Sequence, residues 1–352
     1  MTMEAGREQK RRQRRRVVVA LYLIFLLLLF IGVAELALRI AGWRPYKPVD
    51  LQIQIEPGGR LFKEHPRLGY TQIPGHFKVT LPDGYTFRLT HLTNTLRATH
   101  PEGVGVRSNR PGLWVMGCSF VHGWSLNDEE TFPWLLQQAF PEYEVSNFGV
   151  NGYGTLHSLL QFREFSMQLP KPACVVVDYA YFHDSRNTLT RARLKEVAPY
   201  NKLGPIKLPR ARLDAKGGLQ IEQTPVEYHE WPGQRLSALI HFLEHQYNQL
   251  EEHRARGQQV SIAILKEFAA ECQKHGIKFI VAGITRGKDT AAVLKACAAE
   301  GIATVDISVS LSEPGSRNLP HDDHPSARSQ REYARKLGEY LRAGVLTGAP
   351  AS

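Results

Sequence analysis

From Leu113 onward the chain alternates short β-branched runs with amphipathic stretches, and that rhythm sets the expected fold. The runs near Leu113, Val145, Val175, Ile277 and Ile302 predict strands, and the stretches near Thr131, Thr155, Val260, Asp289 and Ala327 predict helices. Strands that alternate with helices in this way predict an α/β domain, a parallel five-stranded sheet with helices on both faces. Between Asn187 and Arg235 the rhythm breaks into Pro-rich stretches and a hairpin pattern at Arg212 to Gln220. Residues 186–235 therefore read as an insertion, either a lid or substrate wall or a loop without function. Leu236 to Gln258 carries His, Glu, Gln and Arg at helical spacing, which reads as a solvated helix face.

Two further patterns precede the alternation. Within residues 45–110, polar-apolar alternations at His76 to Leu81 and Tyr85 to Thr90 flank Pro82-Asp83-Gly84, a hairpin signal. This stretch is expected to be a small β-rich lead-in, an appendage to the main domain at 111–345. Val17 to Ala34 is uncharged and almost wholly apolar. About 18 to 20 residues at 1.5 Å each cross a hydrocarbon core of about 30 Å, so residues 17–41 predict one transmembrane helix. The cluster Arg11, Arg12, Arg14, Arg15 and Arg16 in the basic tail 1–16 predicts a cytoplasmic N-terminus and attraction to anionic lipid, with the remainder outside the membrane. A cleaved signal peptide is the competing reading. Its apolar region would be long, however, and Glu35 stands where a small-x-small cleavage site is wanted.

The formal charge of +10 changes this picture little, because residues 1–16 hold seven Arg or Lys against two Glu. Half the excess belongs to the tail. The rest is a mild basic bias that suits an acidic polysaccharide or merely reflects composition. Clustered arginines beside a membrane segment, with no zinc-finger or RNA-binding signature, argue against a nucleic-acid partner. Cys118, Cys174, Cys272 and Cys297 show no regular spacing and read as buried thiols without disulfides.

Candidate chemistry begins at Leu113-Trp-Val-Met-Gly-Cys-Ser119-Phe, where an apolar strand ends in a small-residue turn that presents one hydroxyl. A serine at the carboxyl end of a strand, just before a helix, sits where open α/β sheets place ligands and where helix N–H groups favour developing negative charge. The plain alternative is a helix cap. Near the other end, Asn318-Leu-Pro-His321-Asp322-Asp323-His324-Pro325 puts a carboxylate and an imidazole on one loop. In extended backbone, residues two apart point the same way, so Asp322 can orient His324 while its other nitrogen faces Ser119.

The order Ser119, Asp322, His324, with the last two almost adjacent and close to the C-terminus, resembles the SGNH (GDSL-type) serine hydrolases. The stretch Val145-Ser-Asn147-Phe-Gly149-Val-Asn-Gly152-Tyr-Gly154-Thr155 is similar to the part of that family that holds a glycine oxyanion donor, with Gly152 the match by position. The segment His122-Gly123-Trp124 to Leu136, and the elements Leu68-Gly-Tyr and Asn94-Thr-Leu-Arg97, look like those of membrane-anchored members. The resemblance spans roughly Val49 to Leu341. It implies a flavodoxin-like three-layer α/β/α fold, no cofactor, and a triad of Ser119, Asp322 and His324.

Two departures stand out. Cys118 occupies the place of the family's aspartate and reads as buried filler rather than a nucleophile. No Gly-x-Asn-Asp follows the strand Ala173 to Tyr179, where the family keeps an asparagine oxyanion donor. By spacing His183 or Phe182 falls there, and a neutral imidazole N–H donates as an amide does, which makes His183 the candidate against a plain loop histidine. His183, Asp184, His321, Asp322 and His324 are also zinc-ligand types, but there is no His-Glu-x-x-His helix and no Cys-x-x-Cys pair, so no metal is assigned.

The expected function is thus a single-pass, inner-membrane-anchored, extracytoplasmic (periplasmic) esterase acting on an acylated small molecule or carbohydrate. The alternatives are a polysaccharide O-acetyltransferase, which would need a separate membrane acyl-donor partner, and a non-catalytic carbohydrate-binding domain.

Overall fold

The structure is a computed structural model that describes residues 2–48, 52–104 and 110–346. Met1 of the basic tail and residues 49–51 and 105–109 of the lead-in lie outside the described residues. The chain divides into two compact units, Met1–Val49 with His229–Leu250, and Asp50–Tyr228 with Glu251–Ser352.

In the first unit, α1 (Thr2–Ile40) is one unbroken helix. It is the one described helix long and apolar enough to cross a membrane, and its apolar side chains are exposed. The second unit begins with a β-rich region: β1 (Gln54–Glu56), β2 (Phe62–His65), β3 (Gly69–Gln72), β4 (Gly75–Thr80) and β5 (Thr86–His91). β4 and β5 form the hairpin expected around Pro82-Asp83-Gly84 and pair Thr80 with Thr86. Strict alternation along β5 sends Phe87 and Leu89 inward, where they meet Leu61, Phe77, Val79 and Trp124. Trp124 follows the nucleophile candidate in sequence. The appendage expectation is therefore corrected: the lead-in shares a hydrophobic cluster with the segment that carries the site.

The main sheet and its helices follow in the expected alternation: β6 (Gly112–Met116), α2 (Ser119–His122), α3 (Phe132–Ala139), β7 (Glu144–Asn147), α4 (Thr155–Phe165) and β8 (Cys174–Tyr179). Next come α5 (His183–Thr188), α6 (Arg191–Val197), β9 (Lys207–Leu213), β10 (Leu219–Pro225), α7 (Ala238–Ala255), which up to Leu250 belongs to the first unit, and α8 (Gly257–Lys274). The chain closes with β11 (Lys278–Thr285), α9 (Lys288–Ala299), β12 (Ala303–Val309) and α10 (Ala327–Tyr340). The five-stranded sheet runs β12-β11-β8-β6-β7 with all pairings parallel. Renumbered within the sheet this is 2-1-3-4-5, the flavodoxin-like order.

Alternation along β6 splits the core. Trp114 and Met116 pack with α4, α8 and α9 residues such as Leu159, Phe268 and Val293. Leu113 and Val115 pack toward α3 and α10, against Phe132, Leu136, Tyr333 and Leu337. Every residue of central β8 is buried, as its near-continuous apolar run requires when both faces are covered. The strand order reverses between β6 and β8, and the crevice at that switch point, beyond the strand carboxyl ends, is where such sheets bind ligands. In the insertion, β9 and β10 form an antiparallel hairpin. Leu208 and Ala211 are buried, which seats the hairpin in the body of the unit.

Candidate active site

Ser119 leaves β6 at the switch point as the first residue of α2, so its backbone N–H has no acceptor within that helix. The Asn318–Pro325 loop follows β12, an edge strand of the sheet, and leads into α10. His324 Nε2 lies 3.0 Å from Ser119 Oγ, and His324 Nδ1 lies 2.6 Å from Asp322 Oδ1. Asp322 Oδ1 also accepts from the His324 backbone N–H at 2.9 Å and from Ser125 Oγ at 3.2 Å. Burial pushes the Asp322 carboxyl up, but the His324 ring, the backbone N–H and Ser125 outweigh it and hold it below the usual carboxylate range. An ionised Asp322 fixes the proton on Nδ1 and leaves Nε2 to accept the serine proton. Asn318 closes the loop, donating to Ser125 Oγ at 3.2 Å and to the Ser125 carbonyl at 3.1 Å.

The glycine-rich loop lies against α2. A Cβ on Gly149 would sit 2.2 Å from the His122 backbone nitrogen, so only glycine permits this approach. Gly152 has φ +85°, and a Cβ there would lie 2.5 Å from the Tyr70 hydroxyl. Three consecutive carbonyls of the loop are held by side chains: Asn151 by Tyr70 at 2.6 Å, Gly152 by Arg193 at 3.2 Å and Tyr153 by Arg186 at 2.9 Å. In a trans peptide the C=O and the following N–H point opposite ways. Tyr70, by holding the Asn151 carbonyl, thereby fixes the direction of the Gly152 N–H.

No protein-family model matches this chain, and no curated protein matches it. Solved structures do. One is a putative lipolytic protein of the G-D-S-L family from Desulfitobacterium hafniense, at 11% identity and TM-score 0.39, covering 66% of this chain and 100% of that one. Another is a putative acylhydrolase from Bacteroides fragilis, at 16% identity and TM-score 0.37, covering 69% and 91%. A third is a carbohydrate acetylesterase family member from Sinorhizobium meliloti, at 10% identity and TM-score 0.37, covering 66% and 98%.

Directly behind Ser119 lies a second polar cluster. Cys118 is fully buried, and its Sγ donates to Asp178 Oδ2 at 3.2 Å, so it is a partner of a carboxyl rather than simple filler. Burial pushes Asp178 up to about 7, opposed by hydrogen bonds from Cys118 and by the nearby charge of Arg186. His183 is fully buried and its Nε2 lies 4.0 Å from Asp178 Oδ1. Burial, with Arg186 nearby, lowers its pKa well below the ordinary histidine value. The expectation that His183 donates to the oxyanion is corrected by this placement, because a ring with no exposed edge, turned to Asp178, has no route to a substrate.

Ligand atoms of Cys118, Asp178 and His183 lie within 4.8 Å of one another. The adjacent Arg186 guanidinium disfavours a dication there. The other metal-ligand types are dispersed. His321 pairs with Asp83 at 2.6 Å and stacks on Tyr85, while Asp184 accepts from Ser261 at 2.6 Å and Tyr179 at 2.9 Å.

Arg97 completes the support. Fully buried, it donates to the carbonyls of His122 at 2.6 Å, Gly123 at 2.7 Å and Leu126 at 2.6 Å, and pairs with Asp128 at 2.9 Å. It thus fixes the chain that follows the nucleophile candidate. Tyr70 and Arg97 lie within the Leu68-Gly-Tyr and Asn94-Thr-Leu-Arg97 elements, whose sequence pattern carries no sign of these contacts.

Proposed function

We propose that this chain is a serine esterase of the SGNH type, with Ser119 as nucleophile, His324 as general base and Asp322 as the residue that orients it. The single observation that carries this reading is the continuous line from Asp322 Oδ1 through the His324 ring to Ser119 Oγ, at 2.6 and 3.0 Å. Ser119 Oγ attacks an ester carbonyl carbon as its proton passes to His324 Nε2. The Ser119 and Gly152 N–H groups hold the oxyanion. Collapse breaks the bond to the alcohol, which leaves with the proton from His324. Water, deprotonated by His324, then attacks the acyl-serine and releases the acid and the free hydroxyl.

An acylated carbohydrate is the proposed substrate class. A row of aromatic rings supports it: Phe120 lies 5.9 Å from the His324 ring, Phe182 lies 5.5 Å from Phe120, and Tyr181 lies 5.4 Å from Phe182. Tyr181 is 55% exposed, a surface on which an apolar acyl chain or a sugar face can lie. The domain is proposed to work outside the inner membrane, anchored by α1, in line with the arginine cluster that precedes the apolar run.

Release of acetate from O-acetylated oligosaccharides by the full chain, abolished by Ser119→Ala, tests the reading. Binding of the same sugars without turnover by the parent protein would reject it in favour of a carbohydrate-binding role.

A further inference from the structure

The first unit contains a helix with an apolar side that is largely exposed among the described residues. On α7, Leu239, Ile240, Leu243, Tyr247 and Leu250 fall within an arc of about 100° at 3.6 residues per turn, and Leu236 lies in the turn two residues before the helix. Leu236 is 79% exposed, Leu243 and Tyr247 are each 49% exposed, and Leu250 is 45% exposed. Leu239 and Ile240 are half-buried. The other side is polar and engaged: Glu244 and Asn248 are buried and bonded to each other at 2.7 Å.

What covers the apolar side follows from where α7 begins. Glu35, the first charge after the apolar run of α1, accepts from Ser237 Oγ at 2.7 Å, Ala238 N at 2.9 Å and Leu239 N at 2.8 Å. It caps the α7 N-terminus with a carboxylate from another helix. Arg39 donates to the Leu236 carbonyl at 3.0 Å. The Trp43 ring packs edge-on against Phe242 at 5.0 Å and His241 at 5.9 Å, and His241 Nδ1 donates to the Arg44 carbonyl at 2.7 Å. The start of α7 is therefore fixed to the residues that leave the apolar run, which the anchor reading of α1 puts at the level of the outer lipid headgroups. Trp43 and the Trp231–Tyr247 pair, with rings 5.7 Å apart, supply aromatic groups of the kind enriched at that level.

We propose that α7 is an interfacial helix whose apolar face lies in the headgroup and acyl boundary of the outer leaflet. A lipid surface matches a broad apolar stripe on a helix tied to a membrane span, where isolated exposure in water would be costly. This inference rests on the membrane-anchor reading of α1.

The test uses the full chain in phosphatidylcholine vesicles, with a fluorophore on Leu243→Cys, Tyr247→Cys, Leu250→Cys, Gln249→Cys and, inside the apolar run of α1, Leu27→Cys. The four native cysteines are buried, and folding of each variant is checked by reaction of Ser119 with a fluorophosphonate. Expected is several-fold stronger quenching by shallow lipid nitroxides, and weaker quenching by aqueous iodide, at 243, 247 and 250 than at 249. If position 27 is reached by lipid quencher while 243, 247 and 250 are as open to iodide as 249, the interfacial helix is overturned and the anchor stands. Should position 27 itself be open to iodide, both fall. Shielding of 243, 247 and 250 from both quenchers would mean that a protein covers the face, and would equally overturn the proposal.

Discussion

Two Asp–His pairs flank the Gly117-Cys118-Ser119 turn, and they are in opposite protonation regimes. Asp322 and His324 are 2.6 Å apart on a half-open loop, where the imidazole and hydrogen bonds hold the carboxyl below its usual range. Asp178 and His183 are 4.0 Å apart and fully buried, and burial pushes that carboxyl up to about 7. Residue type alone does not make an acid-base pair. The decisive difference is whether the carboxylate's hydrogen bonds outweigh the loss of solvent. Only the first pair reaches Ser119 Oγ. The second supports the turn through Cys118.

The largest expected effects lie at Ser119, His324 and Asp322. Ser119→Ala and His324→Ala are each expected to lower kcat on an activated ester by about 10⁴-fold to 10⁶-fold, with folding kept, as read by steady-state kinetics and circular dichroism. Asp322→Asn should cost about 10⁴-fold through loss of the tautomer, whereas Asp178→Asn should change kcat/KM by no more than about tenfold. Equal losses at both aspartates would erase the distinction drawn between the pairs.

Stability against pH sharpens it further. Folded Asp178 keeps its proton up to about 7, while the unfolded chain releases it near the ordinary carboxylate value of about 3.9. In that window the folded state binds more proton, so this group's contribution to stability falls as pH rises. For Asp322 the sign reverses, and its contribution is lost only as pH falls below the ordinary carboxylate range. Denaturant melts from pH 4 to 8 should show that Asp178→Asn removes a slope that Asp322→Asn leaves in place.

Smaller effects test the supporting contacts. Arg97→Met removes the donor to three carbonyls and the cationic partner of Asp128, and is expected to cost about 3 to 5 kcal/mol in denaturant unfolding. Tyr70→Phe removes one hydrogen bond to the Asn151 carbonyl, and is expected to lower kcat by about tenfold with KM little changed.

The sheet and its helices were legible because each strand is a short β-branched run and each helix an amphipathic stretch, a pattern that one chain displays locally. The meeting of Ser119, Asp322 and His324 was legible for a similar reason, since Asp322 and His324 share one loop and Ser119 ends an apolar strand. The supporting contacts were not. Arg97 binds carbonyls 25 to 29 residues away, and Tyr70 binds one 81 residues away, and backbone carbonyls carry no sequence signature. His183 misled because spacing places a residue at the end of β8 without saying which way its ring turns. The β-rich lead-in looked like an appendage because its hairpin is complete in itself, whereas its partner, Trp124, belongs to the segment after the nucleophile.

The most direct test of the central claim is fluorophosphonate labelling of the purified full chain beside Ser119→Ala, His324→Ala and Asp178→Asn. Labelling of the parent and Asp178→Asn proteins, with none in the other two, is the predicted result. A folded parent protein that takes no label, or label retained by Ser119→Ala, would contradict the assignment of Ser119 as a nucleophile activated by His324.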